Sequence, residues 1–213
     1  MVPLTVRSHY SLMWGTASVG ALCRTARRLG YDRLALTDTD NLYGLWPFLH
    51  ACRREGLTPI VGAEITDPVR GLRAVGLVEN SVGYGNLCRL LTRRHLEPAF
   101  HLAADVPAYA EGLVVLTRDP ALLEAWHAAG VTVAAALPRQ PRLAGHPLRQ
   151  AARRLGVPLV ATPGSFFLSP ADARRHRLLR AIARGATLER LGPAEVAPPE
   201  AWLASPAEYT RRF

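Results

Sequence analysis

The sequence contains no lysine. All 26 of its cations are arginine, set against 17 Asp and Glu, for a formal charge of +9. Without lysine a Gly-rich phosphate loop of the usual kind is excluded. Gly83-Tyr84-Gly85 has neither the following lysine nor a third glycine. Cysteine is nearly absent too. Cys23, Cys52 and Cys88 are odd in number and share no short ligand spacing, which excludes a disulfide framework and a zinc knuckle. They read as buried free thiols in a reducing cytoplasm. No apolar run approaches the roughly 20 residues needed to span a bilayer, and the N-terminus lacks the basic-then-apolar layout of a signal peptide. A cytoplasmic location with no membrane contact is expected. The histidines, His9, His50, His95, His101, His127, His146 and His176, include no pair at helical i, i+4 spacing. Each reads as a surface or satisfied structural side chain.

What is present describes a globular protein. At 213 residues and 49% hydrophobic, the chain can bury one large core and is short for two. The joint excess of Ala, Arg, Gly and Pro fits a GC-rich genome. Arginine spread over outer helix faces reads first as a solvated surface. The charge still permits contact with DNA phosphates or an acidic partner.

Along the chain, strands and helices alternate. Short apolar strands are expected at 4–6, 33–37, 58–65, 72–78, 112–117, 131–136 and 158–162. Amphipathic helices are expected at 17–29, 43–55, 84–94, 120–129, 147–155 and 169–184. The last has clear ends: Ser169 as N-cap, Pro170 in the first position, Asp172 completing a capping box and Gly185 as the stop. Apolar strands separated by helices imply a parallel sheet covered on its outside. Seven units, with a helix missing only between the third and fourth strands, imply a closed βα barrel.

The stretch 2–44 organises this pattern: VPLTVRSHYSLMWG, an amphipathic run, then DRLALTDTDNLYG. Groups just past the carboxyl ends of parallel strands line the ligand crevice of α/β proteins. Ser8, His9, Asp38, Thr39, Asp40 and Asn41 therefore stand where chemistry is expected. Asp38 and Asp40 bracket a tight turn, where carboxylates commonly bond local backbone amides. Ser8 and His9 are adjacent, and without a supporting acid they do not read as a nucleophile–base pair. Near the other end, a Pro-rich connector (GPAEVAPPEAW) leads to Ser205-Pro206-Ala207-Glu208, a second capping-box signature. The helix it announces is short enough to need packing partners. Either it docks on the barrel or the chain is the front piece of something longer, and the second is expected.

These residues reach a known family. TVRSHYSLMWG, LGYDRLALTDTDNLYG, GLTPIVGAEI, GYGNLCRLLT, PLVAT, SPADARRHRLLRAIARG and WLASPAEYTRRF together resemble the polymerase and histidinol phosphatase (PHP) domain. That domain opens the bacterial DNA polymerase III alpha subunit and its error-prone relatives. The resemblance implies a distorted TIM-like (β/α)7 barrel over 1–190. It also implies that 191–213 is a connector and the start of a helix leading to a polymerase body. Partners implied are that body, in cis or in trans, and a proofreading exonuclease subunit.

The departures from the family pattern carry the functional expectation. The family holds three metal ions with histidines and carboxylates at the barrel mouth. The first-strand His-x-His aligns with Thr5 and Arg7, and the aspartate of the following turn with Trp14. The histidine after the ALTD aspartate aligns with Thr39, the histidine opening the fourth strand with Arg73, and the late Asp-x-His with Gly164 and Phe166. Only Glu64 keeps a ligand type. Zinc or manganese needs imidazole and carboxylate donors in fixed geometry, and arginine can only repel a cation. A degenerate site with no catalytic residue and no cofactor is expected, and with it a scaffolding role in a replicative or translesion polymerase. Two alternatives stand beside it. One is a rebuilt metallophosphoesterase or 3′–5′ exonuclease, with Zn or Mn on a residual site of His9, Asp38 and Glu64. The other is a free-standing phosphate-binding module using Arg7 and Arg73, with Ser8, His9, Asp38 and Asp40 as further pocket candidates.

Overall fold

The computed structural model describes residues 1–137 and 146–213. In chain order its elements are α1 (Val19–Arg28), β1 (Arg33–Thr39), α2 (Leu45–Glu55), β2 (Thr58–Thr66), β3 (Arg73–Val78), α3 (Ser81–Leu96), α4 (Leu102–Ala108), β4 (Leu113–Thr117), α5 (Pro120–Ala128), β5 (Val133–Leu137), α6 (Pro147–Leu155), β6 (Leu159–Ala161), α7 (Ala173–Arg184) and α8 (Pro206–Arg212). Short polar side chains start several helices as propensity dictates: Ser18, Asn80, Asp119 and Ser205 each accept a first-turn backbone N–H. The expected capping box at Ser169 and Asp172 is present, and Gly185 ends α7 in the left-handed region at φ 59°. One helix, α4, was not expected.

The chain divides into two compact units, Met1–Ile60 with Pro163–Phe213, and Val61–Thr162. In the second, strands β2 to β6 are hydrogen-bonded in sequence order. β4, β5 and β6 pair in parallel, whereas β3 runs antiparallel to both β2 and β4. The expectation of a uniformly parallel sheet is therefore corrected. With no helix after β2, a tight turn at Asp67, whose Oδ1 accepts from the Val69 and Arg70 amides at 3.0 and 2.8 Å, sends β3 straight back. Leu87, Leu90, Leu123 and Trp126 are fully buried in this unit.

In the first unit, the strand expected at 4–6 reduces to a single bridge, Val6 with Ser165. The segment still runs strand-like: Ala35 and Thr37 donate to the Pro3 and Val6 carbonyls, and Ser165 exchanges bonds with Thr5 and Arg7. Pro3 has no N–H to give, which shortens the ladder. Val6, Leu22, Leu34, Phe48 and Leu203 share one apolar core with Tyr209 of α8. α8 thus docks on the core of this unit. The Tyr209 hydroxyl shares a hydrogen bond with Ser165 Oγ (2.9 Å), donates to the Trp202 carbonyl (3.0 Å) and accepts from the Ala204 amide (3.2 Å).

Candidate functional site

Asp38 lies near the end of β1, 2% exposed. A loop about 30 residues earlier saturates its carboxylate. Oδ1 accepts from the Ser8 amide and from Ser11 Oγ, and Oδ2 from Ser8 Oγ, each at 2.7 Å. The two hydroxyls pass the network on: Ser8 Oγ accepts from the Tyr10 amide and Ser11 Oγ from the Thr39 amide, both at 3.1 Å. Asp38 therefore binds distant groups rather than the amides of its own turn. Short bonds to an ionised acceptor are the stronger class, so this carboxylate ties the loop to β1. Ser8 Oγ is committed to Asp38, while His9 is exposed with its ring 4.4 Å from Tyr10. No serine–histidine relay forms. Asp40 adopts φ 54°, and Asn41 crosses to the Tyr10 carbonyl at 3.0 Å.

Arg7, Trp14 and Phe166 lie together in the same unit. Arg7 is 4% exposed and its guanidinium lies 4.4 Å from the Phe166 ring centroid. Phe166 lies 5.7 Å from Trp14, and Arg180 of α7 caps Trp14 at 3.7 Å. The order is cation, ring, ring, cation, a favourable arrangement when partly desolvated. Beside it His176, 1% exposed, contacts Trp14, Phe166 and Phe167 at centroid distances of 5.7 to 5.8 Å. Its Nε2 accepts from the Ala197 amide at 2.8 Å, so the proton sits on Nδ1, which donates to the Trp14 carbonyl at 2.7 Å. Thr5 Oγ1 accepts from the Gly164 amide at 3.1 Å. The sequence reading had not singled out Arg180, Ser11 or the pairing role of His176. The available signal was His176 and Arg180 at i, i+4, polar residues on the buried stripe of α7 beside Ala181.

Burial holds the His176 imidazole below its ordinary pKa, and the nearby Arg180 charge acts in the same direction. The unfolded chain takes up this proton as pH falls below about 6.5 while the folded one resists. Stability supplied by neutral His176 is therefore complete above that pH and is lost on acidification. Urea midpoints measured from pH 8 to pH 5 should fall more steeply for the natural chain than for His176→Gln. Parallel slopes would show that the imidazole carries no such linkage.

In the second unit, Glu64 is 5% exposed and Arg73 Nη1 donates to its Oε1 at 2.7 Å. The register makes this a diagonal pair on one sheet face, because Arg73 lies opposite Thr66, two residues beyond Glu64. Thr66 Oγ1 accepts from Arg94 Nε and Nη2 at 2.9 and 2.8 Å. The one position that keeps a ligand type thus faces a guanidinium. Among the described residues no three His, Cys, Asp or Glu side chains gather as a metal-ligand group. The guanidinium, hydroxyl and aromatic groups of Arg7, Arg73, Thr5, Trp14 and Phe166 are not donors that suit Zn or Mn.

Comparison with solved structures gives the class. An amidohydrolase from Chromobacterium violaceum, solved with bound sulfate and no metal, matches with a TM-score of 0.55 at 16% identity, over 78% of this chain and 87% of that one. A metal-dependent phosphoesterase candidate from Bifidobacterium adolescentis matches at 0.51 and 16%, over 76% and 86%. The fold is the α/β type of the PHP phosphoesterases. The PHP domain model matches residues 3–155, and the chain belongs to that family. An error-prone DNA polymerase of Anaeromyxobacter sp. (strain K) is 31% identical across 98% of this chain. The DNA polymerase III alpha subunit of Bacillus subtilis is 29% identical across 92%. The chain spans about a fifth of the length of these relatives.

Proposed function

We propose that this chain is a catalytically degenerate PHP domain that serves a DNA polymerase III alpha-type polymerase, replicative or translesion, as a scaffold for the polymerase body. Its strands belong to the family's distorted (β/α)7 barrel, and it works in the cytoplasm. The carrying observation is the stack of Arg7, Phe166, Trp14 and Arg180. Arg7, Trp14 and Phe166 stand at positions aligned with the family's metal ligands, and Arg180 sets a second permanent cation against Trp14. Divalent cations are repelled there, and no bound hydroxide is generated to attack a phosphodiester. The body, a proofreading exonuclease subunit and DNA reached through surface arginines are its proposed partners.

Elemental analysis of the purified chain, paired with hydrolysis of 3′-ended DNA in the presence of Mn or Zn, tests the reading. Metal well below one equivalent and no metal-dependent nucleotide release are expected. Stoichiometric Zn or Mn together with such release would overturn it in favour of the rebuilt phosphoesterase. A second reading, anion binding at Arg7 or Arg73, draws on the sulfate named for the Chromobacterium relative. It predicts saturable thermal protection by inorganic phosphate that Arg7→Ala or Arg73→Ala abolishes. No helix among the described residues is long and apolar enough to cross a membrane.

A further inference from the structure

Cys23 in α1 and Cys52 in the last turns of α2 are each fully buried, and their sulfurs lie 3.7 Å apart. Both belong to the apolar core that fixes α1 against α2. Cysteine can serve in a core as a small apolar side chain, but that role does not require two sulfurs to face one another. We propose that Cys23 and Cys52 are a reversible dithiol–disulfide pair, closed by a two-electron oxidant of the hydroperoxide class.

The geometry asks for little movement. A disulfide needs a sulfur separation near 2.05 Å, so the sulfurs must approach by about 1.7 Å, through side-chain rotation and a small shift of two helices already in contact. Chemistry also favours Cys23 as the first to react. The hydrogen bond shared with Cys52 pulls its pKa below the ordinary thiol value against the opposing effects of burial and the Glu55 charge, and the Arg54 and Arg24 charges help. The Cys23 thiolate attacks one peroxide oxygen. The O–O bond breaks, a sulfenic acid forms and hydroxide leaves, to be protonated to water. Cys52, losing its proton, then attacks that sulfur. The S–S bond forms, the S–O bond breaks and a second water leaves. Two thiols supply the two electrons that reduce one hydroperoxide. Both sulfurs being buried, reaction awaits local opening of α1, and the half-buried Cys88 is the faster-reacting thiol.

The test uses the full chain carrying Cys88→Ser, which leaves only the pair. After excess hydrogen peroxide, thiol titration in denaturant should fall from two groups to none. The intact mass should drop by two hydrogens, a peptide spanning both cysteines should appear, and dithiothreitol should reverse all three. Because the bond ties positions 29 residues apart, the melting temperature of the oxidised form should rise. Adding Cys52→Ser should leave Cys23 trapped as a dimedone adduct. Should that variant fail to fold, the titration of the Cys88→Ser chain decides alone. Two thiols persisting after treatment, a mass gain of oxygen atoms without a cross-link, or linkage only between chains would each overturn the proposal.

Discussion

Asp38→Ala is expected to destabilise the chain by about 3–5 kcal/mol, the summed cost of the buried neutral donors it would leave without an acceptor. The reason is arithmetic on donors. One carboxylate receives the Ser8 amide and two serine hydroxyls, and each donor left unsatisfied inside the protein costs about 1–3 kcal/mol. For a chain of this length the melting temperature should fall by roughly 10 °C or more. Asp38→Asn keeps one acceptor oxygen and should lie between. Urea denaturation followed by circular dichroism measures all three. A loss below about 1 kcal/mol in the alanine variant would mean that Asp38 is not the tie described, and the case for it as a residual ligand would reopen.

The second large effect lies in the GYG of the family motif. Asn80 caps α3 by accepting from the Gly83 amide at 3.0 Å. A Cβ added at Gly83 would stand 1.8 Å from the Gly112 carbonyl oxygen, a backbone atom that no side-chain rotation can clear. Gly83→Ala should therefore cost at least the roughly 1–3 kcal/mol of ordinary overpacking, and lower the melting temperature by several degrees. Two positions later the outcome reverses. A Cβ at Gly85 meets only the flexible end of Arg89 at 3.7 Å, so Gly85→Ala should be neutral or stabilising by up to about 1 kcal/mol through helix propensity. Equal effects at the two positions would remove this explanation of the motif. Gly83 is required by close backbone packing against Gly112, whereas nothing packed against position 85 requires a glycine there.

Much of this was legible because local rules and tertiary demand agree. The capping box at Ser169 and the helix from Pro120 follow from residue types and period alone. The missing helix between the third and fourth expected strands was visible, but its consequence was not. Periodicity says nothing of strand direction, so the reversal of β3 went unread. The strand at 4–6 was overread, since Leu-Thr-Val beside a proline reports burial as readily as pairing. Arg180 went unnoticed because a cation on a helix is ordinarily a surface residue, and its burial is made tolerable by the Trp14 face and by the Glu195 and Met13 carbonyls, remote groups to which its guanidinium donates.

From the residues alone came the family and the α/β class. These depend on residue order and short-range chemistry, which a linear text carries. Tertiary structure decided what the side chains do to one another. Asp38 is consumed by a loop some thirty residues away, Arg73 pairs with Glu64 across a register, and His176 accepts a hydrogen bond from the Ala197 amide inside an aromatic cage. Each of these depends on distance between positions remote in sequence, a quantity that exists only once the chain has closed on itself.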